Sequence, residues 1–214
     1  MAHSTILGRN ISICYVLLAL LLTICKGASA SEPVNIRPFP LTGAFTAEFV
    51  EDRDHIAIMN FAGVYDTELS SGESNIEARS VVAKEFFRTH PDKYDFLVIF
   101  SSFEYDTDDA IALYWGIKND VQGIGLEQFD YTQLFGSDGK LQGFIDMAAI
   151  SRYEMDPLKP NFEQVLSIMS HETMHRWGAY VKYMNDSGEL SDSLVGHQGA
   201  HWSYKLDSSA SVMY

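Results

Sequence analysis

Apolar and polar positions change their period several times along this chain, and each change predicts an element. His55 to Phe61 reads as a buried strand, and Gly63 to Gly72 as a loop. Asn75 to His90 carries an apolar stripe of Ile76, Val81, Val82, Phe86 and Phe87, which predicts an amphipathic helix stopped by Pro91. Tyr94 to Phe100 is apolar throughout and predicts a central strand. Ile111, Leu113 and Trp115 alternate and predict a strand over Ala110 to Ile117. Asn119 to Gly143 is loop punctuated by glycine, and Phe144 to Ile150 is a fourth strand. A long helix follows. Pro160 and Asn161 open it, with Gln164 in the place of a capping-box partner. Phe162, Leu166, Met169, Thr173, Trp177, Tyr180 and Met184 continue it, and Asn185 to Gly188 ends it. Residues 189–214 are irregular. Pro33, Pro38 and Pro40 make residues 31–52 an irregular strap. The order predicts an α/β (α+β) domain over 53–214, a twisted mixed sheet with two main helices.

The first thirty residues stand apart. An apolar run from Ile11 to Ile24 follows Arg9 and precedes Ala28-Ser29-Ala30, a small-x-small cleavage pattern. This is the layout of a secretory signal peptide over residues 1–30, and the run is short of the roughly 20 residues that span a bilayer. Cleavage would remove both cysteines, Cys14 and Cys25, so the exported chain has no disulfide to rely on. The full chain has a net charge of −14, and loss of Arg9 and Lys26 shifts it by two to −16. Such a charge opposes binding to nucleic acid or anionic lipid. The chain is expected to be secreted, extracellular or periplasmic, with no membrane attachment after cleavage.

The second helix carries the chemistry. His171 and His175 are four residues apart and share one helix face. Two imidazoles so placed can hold one zinc ion. Glu172 is turned about 100° away and can reach a water beside that ion without binding it, the place of a general base. The bland alternative is a solvated face that happens to carry two histidines. A catalytic zinc needs a third protein ligand and an open position. His197, His201, Glu189 and Asp207 are the candidates downstream. His201 is favoured because Trp202-Ser203-Tyr204 can fix it by packing, whereas His197 is flanked by glycines and Glu189 follows the helix closely.

His171-Glu172-Thr173-Met174-His175-Arg176-Trp177-Gly178 resembles the HExxHxxG opening of the metzincin zinc peptidases, and Ser211-Val212-Met213 resembles their Met-turn. The strand–helix–three strands–helix order is similar to the N-terminal subdomain of zincins. The chain departs from the pattern where a third histidine would fall, at Val181, and where helical periodicity runs past Gly178. It resembles more closely a group of secreted zincin-like proteins with an HExxH-x-W helix, a Gly-x-x-x-His-Trp-Ser block and Ser-Val-Met. Leu194 to Ser203 matches that layout, which implies His201 as the third ligand. The resemblance implies a zinc metallopeptidase, an endopeptidase acting on peptide or protein substrates.

Two rival readings stay open. One is an inactive zincin-like module that binds zinc or a partner; the presence of Glu172 weighs against it. A metzincin continues past its Met-turn into a further helix, so Tyr214 directly after the triplet allows for a fragment. The other is a structural zinc site, for which His197 is the candidate fourth ligand. Tyr204 and Tyr214 are equal candidates to stabilise an oxyanion. Glu104, Asp106, Asp108 and Asp109 read as a solvated acidic loop rather than a calcium site.

Overall fold

The computed structural model describes residues 45–178, 180, 182–196 and 201, together with the backbone of 11–16. Strands β1 (Ile11–Val16), β2 (Thr46–Arg53) and β3 (Ile56–Ala62) precede helix α1 (Ile76–Thr89). Strands β4 (Phe96–Ser101), β5 (Leu113–Gly116), β6 (Lys118–Asn119), β7 (Phe129–Asp130) and β8 (Gly143–Ala149) lead to helix α2 (Phe162–Met174). A small hairpin of β9 (Tyr183–Met184) and β10 (Leu190–Ser191) follows. The result is an α+β architecture. Its main sheet has the order β2-β3-β1-β4-β8-β5 and is mixed: only β4 and β8 pair in parallel.

Strand alternation distributes the core to both faces of this sheet. Leu97, Ile99 and Phe144 pack with Val82, Ala83 and Phe86 of α1. Phe96, Val98, Phe100, Ile145 and Met147 face the other way, onto Val165 of α2 and its neighbours Phe162, Ile168 and Met169. Every residue of β4 and β8 is therefore buried, which explains why the segment of β4 reads as an apolar run. Full burial of a side chain such as Phe86 or Ile99 contributes roughly 1.5–3 kcal/mol. Asn75 caps α1 by accepting from the Ala78 N–H at 3.4 Å, and α1 ends one residue short of the expected His90.

Several expectations need correction. Residues 46–52 are not irregular. Ala47 and Phe49 alternate inward, and β2 pairs with β3 through a tight turn at Asp54, whose φ is +55°. The strand expected from Ala110 begins only at Leu113. The loop over 119–143 contains β7, paired with β6, and a 3-10 turn over Thr132–Phe135. Asn161 starts α2, but in the left-handed region and without a side-chain cap, so no capping box forms. Most consequentially, α2 stops at Met174 instead of Met184: the N–H groups of His175, Arg176 and Trp177 bond three residues back, which tightens the helix into a turn. Tyr183 and Met184 belong to the β9–β10 hairpin.

A buried ion pair ties the layers together. Arg79 of α1 donates from Nε and Nη2 to Asp146 Oδ2 of β8 at 3.1 and 3.0 Å, both side chains being inaccessible to solvent. Its Nη1 donates to the carbonyls of Asp66 and Asn75, and Tyr105 donates its hydroxyl to Asp146 Oδ1 at 2.5 Å. The Tyr65 ring covers the guanidinium at 4.2 Å. Asp146 beside it raises the Arg79 pKa against the opposing effect of burial, so the cation is held firmly.

Strand β1 comes from the apolar run read as an export signal. It lies antiparallel between β3 and β4, with Ile13 opposite both Met59 and Ser101. Export is expected to remove residues 1–30, and N-terminal sequencing of the exported protein should begin at Ser31; a chain still starting at Met1 would refute this. The flanking strands β3 and β4 run parallel to one another, so in the shortened chain their buried N–H and C=O groups need each other as partners. Among the described residues, no helix is long and apolar enough to cross a membrane.

Candidate metal centre

The register that packs α2 onto the sheet also builds the site. Val165, Ile168 and Met169 face the apolar layer, and Glu172 continues that stripe one turn later. Leu166, expected to face inward, is instead on the outer side and 44% exposed. Glu172 is thereby carried into the interior, where burial pushes its carboxyl up to about 7. His171 and His175 flank it on the neighbouring face, and the His175 Nε2 lies 4.0 Å from Glu172 Oε2.

His201 completes the group. Its Nε2 lies 3.2 Å from the Nε2 of His171. The ring centroids of His175 stand 5.0 Å from His171 and 4.9 Å from His201, with the planes nearly perpendicular in both cases. One ligand nitrogen from each of the three histidines lies within 4.8 Å of the others, so the three can hold a metal ion. In tetrahedral zinc coordination the nitrogens stand about 3.3 Å apart, so the His171–His201 spacing already fits and His175 needs only a small approach. The His201 carbonyl accepts the Gly196 N–H at 2.5 Å.

The expected candidates separate cleanly. His171, His175 and His201 come together, with Glu172 beside them. Glu189 does not join them: it lies in the β9–β10 turn, exchanging hydrogen bonds with Asn185. His197, Asp207, Trp202, Tyr204, Tyr214 and the Ser211-Val212-Met213 triplet lie outside the described residues, as does Val181. The acidic loop behaves as a self-bonded surface element. Glu104 pairs with Arg152 and Ser151, and Asp106 accepts from the Asp108 N–H.

Three tyrosines around the site escaped sequence reading. The Tyr114 ring of β5 stacks on His175, with centroids 6.0 Å apart and planes inclined at 23°. Tyr180, expected as a helix position, donates its hydroxyl to the His175 carbonyl at 3.0 Å. Tyr153 donates to the Ile111 carbonyl at 3.2 Å. Burial is the main cause that pushes the Tyr153 phenol up to about 12; Arg152 opposes it, and the charges of Glu172 and Asp146 add to it. It therefore remains a protonated donor near the site at neutral pH. The only available signal for these residues was aromatic richness, which packing accounts for equally well.

No protein-family model, no curated protein and no solved structure matches the chain.

Proposed function

We propose that this chain is an exported, zinc-dependent peptidase of zincin type that hydrolyses peptide bonds, with His171, His175 and His201 as metal ligands and Glu172 as general base. One observation carries the proposal. His171 of α2 and His175 of the turn that closes it meet a third histidine, His201, and a buried carboxyl sits beside them that is not needed as a ligand. Zinc suits three imidazoles better than calcium or magnesium, which prefer oxygen ligands. Among the described residues three protein ligands converge, and a site with three protein ligands keeps its fourth position for water and substrate, as catalytic sites do.

When bound, zinc would lower the pKa of a water to about 7 and polarise the scissile carbonyl. The chain's own residues manage the protons. Glu172 takes the proton of the attacking water and passes it to the departing amine. In the metal-free protein burial pushes this carboxyl up to about 7, out of the firmly ionised range of an exposed glutamate. Tyr114 and Tyr180 hold His175, by its ring and its carbonyl respectively.

Zinc titration of the full chain and of His201→Ala tests this reading. The wild type should bind one zinc and hydrolyse an unstructured protein such as casein, with activity lost to a chelator and restored by zinc. His201→Ala should weaken zinc binding by more than the roughly 10–100-fold that loss of an outer-shell partner costs. Wild-type affinity in His201→Ala would remove His201 from the ligand set. Failure of the wild type to bind zinc would end the proposal.

A further inference from the structure

We propose that Arg176 is a positioning residue for His175, clamping the end of α2 so that the second histidine meets the other two; this rests on reading the three histidines as a metal centre. A histidine in the middle of a helix is oriented by the helix itself. His175 is not so placed. Helix α2 ends at Met174, and His175 falls in the tightened turn beyond it, where its N–H bonds back to the Glu172 carbonyl at 3.3 Å. The orientation of His175 then depends on tertiary contacts as well as on the helix, and the next residue, Arg176, anchors that turn to the rest of the fold.

The Arg176 side chain is only 4% exposed. Its Nη1 donates to Asn119 Oδ1 at 3.0 Å, and its Nη2 donates to Asp120 Oδ1 at 2.6 Å and Gln142 Oε1 at 2.7 Å. Its Nε donates to Gln142 Oε1 at 3.2 Å. These partners lie on β6 and just ahead of β8, so the fork pins the residue after His175 to the sheet at several points. A guanidinium provides this rigidity, whereas an ammonium would act as a single point charge.

The clamp closes a circuit that returns to His175. Gln142, held by Arg176 through its side chain, accepts the Tyr114 hydroxyl on its carbonyl at 3.4 Å. The Tyr114 ring stacks on His175. Gly143 makes room for this: a Cβ there would stand 2.4 Å from the Tyr114 ring. On the other side, Gly125 approaches Tyr180 so closely that a Cβ would fall 1.7 Å from the Tyr180 carbonyl oxygen. Tyr180 in turn donates to the His175 carbonyl. His175 is thus held from two sides, by the Tyr114 ring, which Arg176 reaches through Gln142, and by the Tyr180 hydroxyl.

The test is a double-mutant cycle read in zinc affinity. Zinc is titrated into the full chain against a competing chromogenic chelator, for wild type, Arg176→Lys, His175→Ala and the double variant. The melting temperature of each metal-free form is measured alongside. Arg176→Lys is expected to weaken zinc binding by about 10–100-fold. The same substitution in the His175→Ala background should cost nothing further, because a residue acting through His175 has nothing left to position. The visible spectrum of the cobalt(II) form should also change in Arg176→Lys, reporting altered coordination. Asp120→Ala removes one arm of the clamp from a half-exposed side chain. It should weaken zinc in the same direction by less, and it carries the same cycle if Arg176→Lys does not fold. Unchanged zinc affinity in the single variants, or an equal loss with and without His175, would overturn the positioning role while leaving the metal centre intact. Absence of zinc binding by the wild type would overturn the metal reading itself, and this inference with it.

Discussion

Glu172→Gln is expected to retain zinc and to lose about 10²–10⁴-fold in peptide hydrolysis, the range for removal of a general base. The carboxyl is beside the histidines but is not one of the three converging groups, so an isosteric amide leaves the ligand set unchanged. An amide also tolerates the site. Glu172 is 7% exposed, and its burial disfavours the ionised form, as the upward shift to about 7 records. A neutral Gln avoids that cost, so the metal-free variant should melt no lower than the metal-free wild type. Zinc content and casein hydrolysis, measured on the same preparation, decide the role. Loss of zinc together with activity would make Glu172 a ligand or a structural support. Full activity with zinc retained would place the base elsewhere.

Asp146→Ala is expected to destabilise the fold by about 3–5 kcal/mol, because it leaves the Arg79 guanidinium buried without its counter-charge. In a domain of this size that is a fall of roughly 6–20 °C in melting temperature. The Tyr105 hydroxyl loses its acceptor in the same step, which adds to the cost. The double change Arg79→Met with Asp146→Leu removes both charges, and it should recover part of the loss. Thermal unfolding of the three variants measures the coupling. An Asp146→Ala melting temperature within a degree or two of wild type would mean that solvent reaches the pair.

The two predictions probe different levels of the molecule. The helix face carrying His171 and His175 was legible from spacing alone, because helical geometry is local. The third partner was weighed among four residues, and the choice of His201 rested on aromatic neighbours and on the resemblance. Its approach to His171 is a contact across 30 positions that no local pattern announces. The end of α2 was misjudged for a related reason. Trp177, Tyr180 and Met184 continue a 3.6-residue period, yet Trp177 packs against Phe96 of the sheet, Tyr180 bonds back to His175, and Met184 joins a hairpin. Apolar spacing records that residues are buried and leaves open what buries them.

From the sequence alone came the order of β3, α1, β4, β5, β8 and α2, the central strand β4, the α1 boundaries to within a residue and the pair of histidines four apart. Each of these follows from local rules of period, capping and proline placement, which act over a few residues. Only the tertiary structure decided the rest. It drew β2 out of the proline-rich strap, paired Arg79 with Asp146 across 67 positions, and ended α2 at Met174, with Tyr114 and Tyr180 against His175. It also brought His201 back over 30 positions to His171. The physical reason is the same throughout. Burial, charge pairing and hydrogen-bond satisfaction depend on which segments meet in space, and the one-dimensional pattern carries that information only where neighbours in space are also neighbours in the chain.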